Sequence, residues 1–211
     1  HAVPALALLL AGLGLLGVQI GRSIRRGAAA SAVAPAWPWL LLAVPIGPLA
    51  VAAAAPPGGL WAVEAFGYDV LTYHLQLPKA WREAGGIVFL HHSVYSALPN
   101  WVEATTLHLS FLSGSVRSAT WAAQALHVLA TVYAAILIGR LARRHTGETA
   151  AVAAGALLPA VPWVLVVGSM AYNEMFALAL AAAALTILWQ PGARPRAWAT
   201  AGFLLGAMAM A

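Results

Sequence analysis

The chain has 211 residues, 62% of them hydrophobic and only 8% charged, with a net charge of +5 and no cysteine. A soluble domain carries roughly 25% charged residues, so this composition excludes a fold that covers its whole surface with polar groups in water. The missing cysteines exclude disulfides, thiolate catalysis and cysteine-ligated metals. The basic residues sit in small clusters beside apolar runs, a pattern of membrane topology rather than of nucleic-acid binding.

Apolar runs near the length a helix needs to cross a bilayer, about 20 residues, recur along the chain. They predict an all-α polytopic transmembrane bundle of about six spans, with 1–211 forming a single membrane domain. The first span is expected at 3–20, without the basic segment before it that a cleavable signal peptide carries. A basic loop, 21–35, contains Arg22, Arg25 and Arg26. The second span, 36–55, is entered through Trp37 and Trp39, and Pro45 and Pro48 should kink it.

Pro56-Pro57-Gly58-Gly59 then breaks the helix, and the segment 56–115 is too polar to cross. That segment holds the acids Glu64, Asp69, Glu83 and Glu103, the bases Lys79 and Arg82, and His74, His91, His92 and His108. Further spans are expected at 116–139, 149–167, 175–189 and 198–211, with Pro159 and Pro162 near the end of the fourth. The chain opens on His1 and is still apolar at Ala211, so it is expected to be a fragment whose sixth span is cut short.

The loops 21–35, 140–148 and 190–197 are all basic, and alternating spans put them on one side. The positive-inside tendency makes that side cytoplasmic. The segment 56–115 and the turn 168–174 then face outward from an inner (plasma) membrane. Within 56–115 the spacing predicts a helix over 68–76. One stripe carries Asp69, Tyr73, Gln76 and Glu83, and another Val70, His74, Leu77 and Trp81. Pro78 suits the first turn of a second short helix, which Gly85-Gly86 ends. Asn100-Trp101-Val102-Glu103 has the capping-box pattern for a third helix to about Leu112. Helices with one apolar stripe fit a position flat on the membrane.

Two acids stand out. Asp69 reads either as a helix cap or as a base whose proton affinity rises with partial desolvation. Glu174 reads as a favourable charge in the first turn of a helix, or as a functional acid at the mouth of a span. Glu103 is explained by its capping box. The external histidines lack local metal-ligand spacing. His127, inside the third span, is of the type that hydrogen-bonds a neighbouring helix. Walker, G-x-S-x-G and H-E-x-x-H patterns do not occur.

The run Asp69-Val70-Leu71-Thr72-Tyr73-His74-Leu75, then Leu77-Pro78-Lys79, Gly85-Gly86, Leu98-Pro99, Glu103 and the turn Tyr172-Asn173-Glu174 resembles bacterial membrane glycosyltransferases of the GT-C fold. These are the relatives of protein O-mannosyltransferases and of aminoarabinose transferases acting on lipid A. The resemblance covers roughly 36–190, by layout more than by identity. It implies sugar transfer from a polyprenyl-phosphate carrier to an unidentified acceptor, with inversion. It makes Asp69 the catalytic base in the external catalytic loop 56–115 and Glu174 the second acidic position. Tyr73, His74, Lys79, Arg82 and Arg117 become candidates for binding the substrate and its departing phosphate. The chain departs from the commonest pattern in having a single Asp at 69 rather than adjacent acids, and an extra span before the loop. A divalent metal is compatible with the resemblance and not required by the residues. Expected partners are the lipid-linked sugar and membrane lipid, with no nucleic acid.

A secondary transporter or flippase is the alternative, since prolines inside spans suit broken helices. A transporter places ionisable residues at mid-membrane, where these spans hold almost none. A non-catalytic scaffold derived from such an enzyme is the third reading.

Overall fold

The computed structural model describes residues 37–190, 192 and 194–211, together with scattered positions between 3 and 22. Every regular element among the described residues is helical, as the apolar runs predict. A 3₁₀ turn, Trp37–Leu42, leads into α1 (Ala43–Ala53); a π-helical turn, Val70–His74, leads into α2 (Gln76–Ala84). There follow α3 (Trp101–Ser113), α4 (Val116–Ala142), α5 (Glu148–Ala160), α6 (Pro162–Gly168), α7 (Glu174–Leu188) and α8 (Pro195–Ala209). The described positions of the expected first span are helical, but the rest of 3–20, and the loop 21–35 beyond Gly21 and Arg22, lie outside the described residues.

The long helix α4 is the axis of the molecule and packs against α1, α3, α5, α6 and α7. Gly114, at φ +88°, ends α3, and Ser115 starts α4 by accepting the Ser118 N–H on its Oγ at 3.0 Å. Small residues let neighbours come close to α4. Buried Ala119, Ala123, Ala130 and Ala134 line its inner face. A Cβ added to Gly155 of α5 would lie 2.8 Å from the Ala135 carbonyl oxygen.

At 27 residues, α4 is the one described helix long and apolar enough by itself to cross a bilayer, where the sequence predicts the span 116–139. The expected span 149–167 is instead broken into α5 and α6, which bend by 63°. Pro162 is the cause: it has no N–H to donate, and it forces Val161 out of helical geometry to ψ 124°. The apolar helices over Leu40–Ala53 and Glu174–Leu188 are shorter than a full crossing requires.

The polar segment is folded on itself. Gly58 and Gly67, at φ +74° and +75°, let two strands of the 56–67 loop touch, and a Cβ on Gly58 would stand 1.8 Å from the Phe66 carbonyl oxygen. Ala65 and Phe66 between them are also held at positive φ. The predicted helix 68–76 is a π turn that runs on without a break: Leu75 N–H donates to Val70 O at 2.9 Å, and Lys79 N–H to Leu75 O at 3.3 Å. Its expected apolar stripe forms as read, with Val70, His74, Leu77 and Trp81 all buried. Gly85, at φ +77°, ends α2.

Candidate active site

The folded 56–67 loop, the residues just before the π turn, and α6, the start of α7 and the connection between them line an open cavity of about 350 Å³. Its wall includes Glu64, Tyr68, Asp69, Trp163, Tyr172 and Glu174. Asp69 and Glu174, 105 positions apart in sequence by their numbers, thus meet at one cavity.

Asp69 is not a helix cap. Its backbone is itself helical (φ −65°, ψ −42°) and its side chain makes no capping bond. No hydrogen bond or ion pair ties its carboxylate to another described residue. Glu174 occupies the first turn of α7, where its Oε2 accepts the Asn173 N–H at 3.2 Å, and it also lines the cavity.

Two bonds stitch the cavity's walls together. The Trp61 indole N–H donates to Ser169 Oγ at 2.9 Å, and the Tyr172 hydroxyl donates to the Glu64 carboxylate. Burial pushes the Tyr172 phenol well above its ordinary range, and the bond to Glu64 and the charges of Asp69 and Glu174 add to this. Burial likewise raises Tyr73, with Asp69 and Glu174 adding to it. Both phenols therefore keep their protons. The Tyr73 ring stacks on Tyr95 at 4.1 Å rather than lining the cavity.

His74 and Glu103 correct the sequence reading together. Both are 2% exposed, and His74 Nδ1 lies 2.6 Å from Glu103 Oε1. Glu103 is thus not half of a capping box. Asn100 makes no cap bond and spends its amide on Tyr95 O and Leu98 O. His74, expected at the substrate, is turned inward and locks the π turn to α3. Apolar burial on both helices decides this: the His74 stripe and the inner face of α3 meet, and each polar group needs a partner there.

The expected phosphate contacts gather away from Asp69. Lys79, Arg82 and Arg117 line a second hollow of about 490 Å³ with Glu83 and Ser115, and this shares no wall residue with the first. Arg82 has a structural task there. Its guanidinium donates to Ser110 O at 2.6 Å and Gly114 O at 2.7 Å, closing the C-terminal end of α3, and it lies over the Phe111 ring. Lys79 and Arg117 have no hydrogen-bond or ion-pair partner among the described residues.

Glu64, Tyr172 and Trp163 are wall residues to which no role attaches on sequence grounds. The available signals were the paired glycines around Glu64 and the tyrosine beside Asn173-Glu174. Among the described residues, no three His, Asp or Glu side chains are disposed to hold a metal ion. Chemically, the cavity offers an unpaired carboxylate at Asp69, a second acid at Glu174, and a Glu64 carboxylate held by the protonated Tyr172 phenol. No family model, curated protein or solved structure matches the chain at a significant level.

Proposed function

We propose that the chain belongs to an integral membrane glycosyltransferase that moves a sugar from a polyprenyl-phosphate carrier to an acceptor on the external face of the membrane. The observation that carries this is the unpaired Asp69 carboxylate in the wall of a cavity whose Val167 and Tyr172 pack with the N-terminal part of a span-length helix. In this scheme Asp69 takes the proton of the acceptor hydroxyl. The acceptor oxygen bonds to the anomeric carbon as the carbon–oxygen bond to the carrier phosphate breaks, and the phosphate leaves with the electron pair. A single displacement inverts the centre. Asp69 and Glu174 also favour the positive charge that grows on the sugar ring. Of the phosphate contacts the resemblance suggests, Lys79 and Arg117 have donors unpaired among the described residues, and they lie with Arg82 in the second hollow rather than in the Asp69 cavity.

The layout this reading needs has six crossings. They are the run 3–20, the 3₁₀ turn with α1, then α4, the bent pair α5–α6, α7 and α8. Single cysteines replacing His92 and His145 in the otherwise cysteine-free chain should then label from opposite faces of the membrane. Labelling of both from one face removes the layout.

The test of function is Asp69→Asn in a reconstituted assay with a polyprenyl-phosphate sugar donor. Transfer should fall at least about 100-fold, as expected for loss of a general base, with membrane insertion and thermal stability unchanged. Turnover near the parent's would strike Asp69 from the mechanism. The 63° break favours a second reading, because the shorter half of the broken helix brings Trp163 and Val167 into the cavity wall, and transporters build substrate sites at such breaks. Movement of the labelled lipid across liposomes, with no transfer of its sugar, would favour a transporter.

A further inference from the structure

The polar side chains inside α4 form a ladder facing the two walls of the cavity. Gln124 and His127 are both 0% exposed. Gln124 Nε2 donates to Ala53 O at 2.6 Å and Ala55 O at 3.0 Å, and Trp121 Nε1 above it donates to Ala54 O at 3.2 Å. These are carbonyls at the end of α1, which have no intrahelical partner. One turn further on, His127 Nδ1 lies 3.0 Å from Val167 O, and its Nε2 lies 3.1 Å from the Met175 nitrogen. A carbonyl only accepts and an amide N–H only donates, so the ring carries its hydrogen on Nδ1 and a lone pair on Nε2. In this tautomer the imidazole bridges the end of α6 to the start of α7.

We propose that Gln124 and His127 are positioning residues, which set the distance between the two acid-bearing walls of the Asp69 cavity. Gln124 holds the root of the 56–67 loop, which carries Glu64. His127 holds both roots of the connection that carries Tyr172 and Glu174, and Val167 is itself part of the cavity wall. Both residues sit on one rigid helix, one turn apart, so the walls share a common frame. Water could satisfy the same helix ends without fixing that spacing. Buried polar groups in a candidate span are costly to keep and mark function. Leucine at either place would suit a bilayer better, so the variants are expected to insert.

The geometric part of this inference stands independently of chemistry, while its kinetic part rests on the glycosyltransferase reading. Spin labels on cysteines replacing Leu60 and Asn173 report the spacing of the walls in the full chain reconstituted in nanodiscs. The parent should give one narrow distance distribution, and His127→Leu and Gln124→Leu each a broadened one. His127→Gln, which keeps an acceptor for the Met175 N–H, should recover most of the narrowness. With a polyprenyl-phosphate sugar donor, His127→Leu should lower kcat by about 10- to 100-fold, the order expected for a misplacement near 1 Å. KM for the donor should stay within about two-fold if the loss is one of orientation, and His127→Gln should restore kcat. A narrow distribution that survives both leucine substitutions overturns the proposal, as does His127→Gln behaving no better than leucine. If His127→Leu does not accumulate, Gln124→Leu decides by the same measurement. If the parent transfers no sugar, the functional reading falls and the distance measurement still decides the positioning role.

Discussion

The His74–Glu103 pair is the sharpest place to test the packing of the segment 56–115. Replacing His74 with leucine leaves the Glu103 carboxyl buried at 2% exposure, with its Oε1 stripped of its partner. Its Oε2 has no partner to begin with, and neither has Nε2 of His74. No other hydrogen bond or ion pair reaches the acid among the described residues, and such orphaned groups cost about 3–5 kcal/mol. Glu103→Leu should cost a similar amount by orphaning the imidazole. The double substitution replaces a polar pair by two apolar side chains in a site already lined by apolar neighbours. Such exchanges are neutral or stabilising by up to about 4 kcal/mol. The expected result of a double-mutant cycle, read by reversible unfolding in mixed micelles, is therefore two large losses that cancel in combination. A coupling energy below about 1 kcal/mol, or a double variant as weak as the sum of the singles, would refute the pairing. It would also remove the reason given for the inward turn of His74.

Two further expectations concern the loop and the phenols. Gly58→Ala places a Cβ 1.8 Å from the Phe66 carbonyl oxygen at a φ of +74°, so the 56–67 loop cannot close as it does. Thermal unfolding should show a loss above about 3 kcal/mol, at the upper end for strain at such a backbone position, and an unchanged melting temperature would contradict the loop's geometry. The Tyr172 proton is held more tightly in the folded chain than in the unfolded one, whose phenol titrates near 10. The stability that follows is fully present below about pH 10 and is lost as the pH climbs beyond it. Tyr172→Phe should flatten this alkaline decline, measured by unfolding at successive pH values, and a slope identical to the parent's would show that the phenol is not so held.

Several elements are legible from residue pattern alone because one local cause decides them. Gly85 ends α2 since only a glycine takes that φ at no cost, and the buried stripe from Val70 to Trp81 follows from helical periodicity. Where two local rules compete with tertiary burial, the pattern misleads. Asn100 and Glu103 have the spacing of a capping box, yet burial of the His74 face draws the glutamate away. Asp69 has the composition of a cap, yet helical backbone already begins at Tyr68, and its side chain is left to the cavity. Lys79, Arg82 and Arg117 do cluster, but which cavity they serve depends on how α2 lies against the junction of α3 and α4, a matter of packing rather than spacing. Glu64 and Tyr172 are stitched across 108 positions, and no short-range signal carries that bond.

The wide turn at Val70–His74 acts as a register gauge between the acid and the helix that follows. A π turn takes up one residue more than an α turn, and each residue of an α-helix advances the azimuth by about 100°. Loss of a single residue there would leave both flanking stretches helical and the apolar stripe of α2 in place. It would swing Asp69 a quarter-turn or more around the axis, away from Tyr172 and Glu174. Homologous chains that keep the acid but count one residue fewer in this turn would thus share the scaffold without sharing the chemistry.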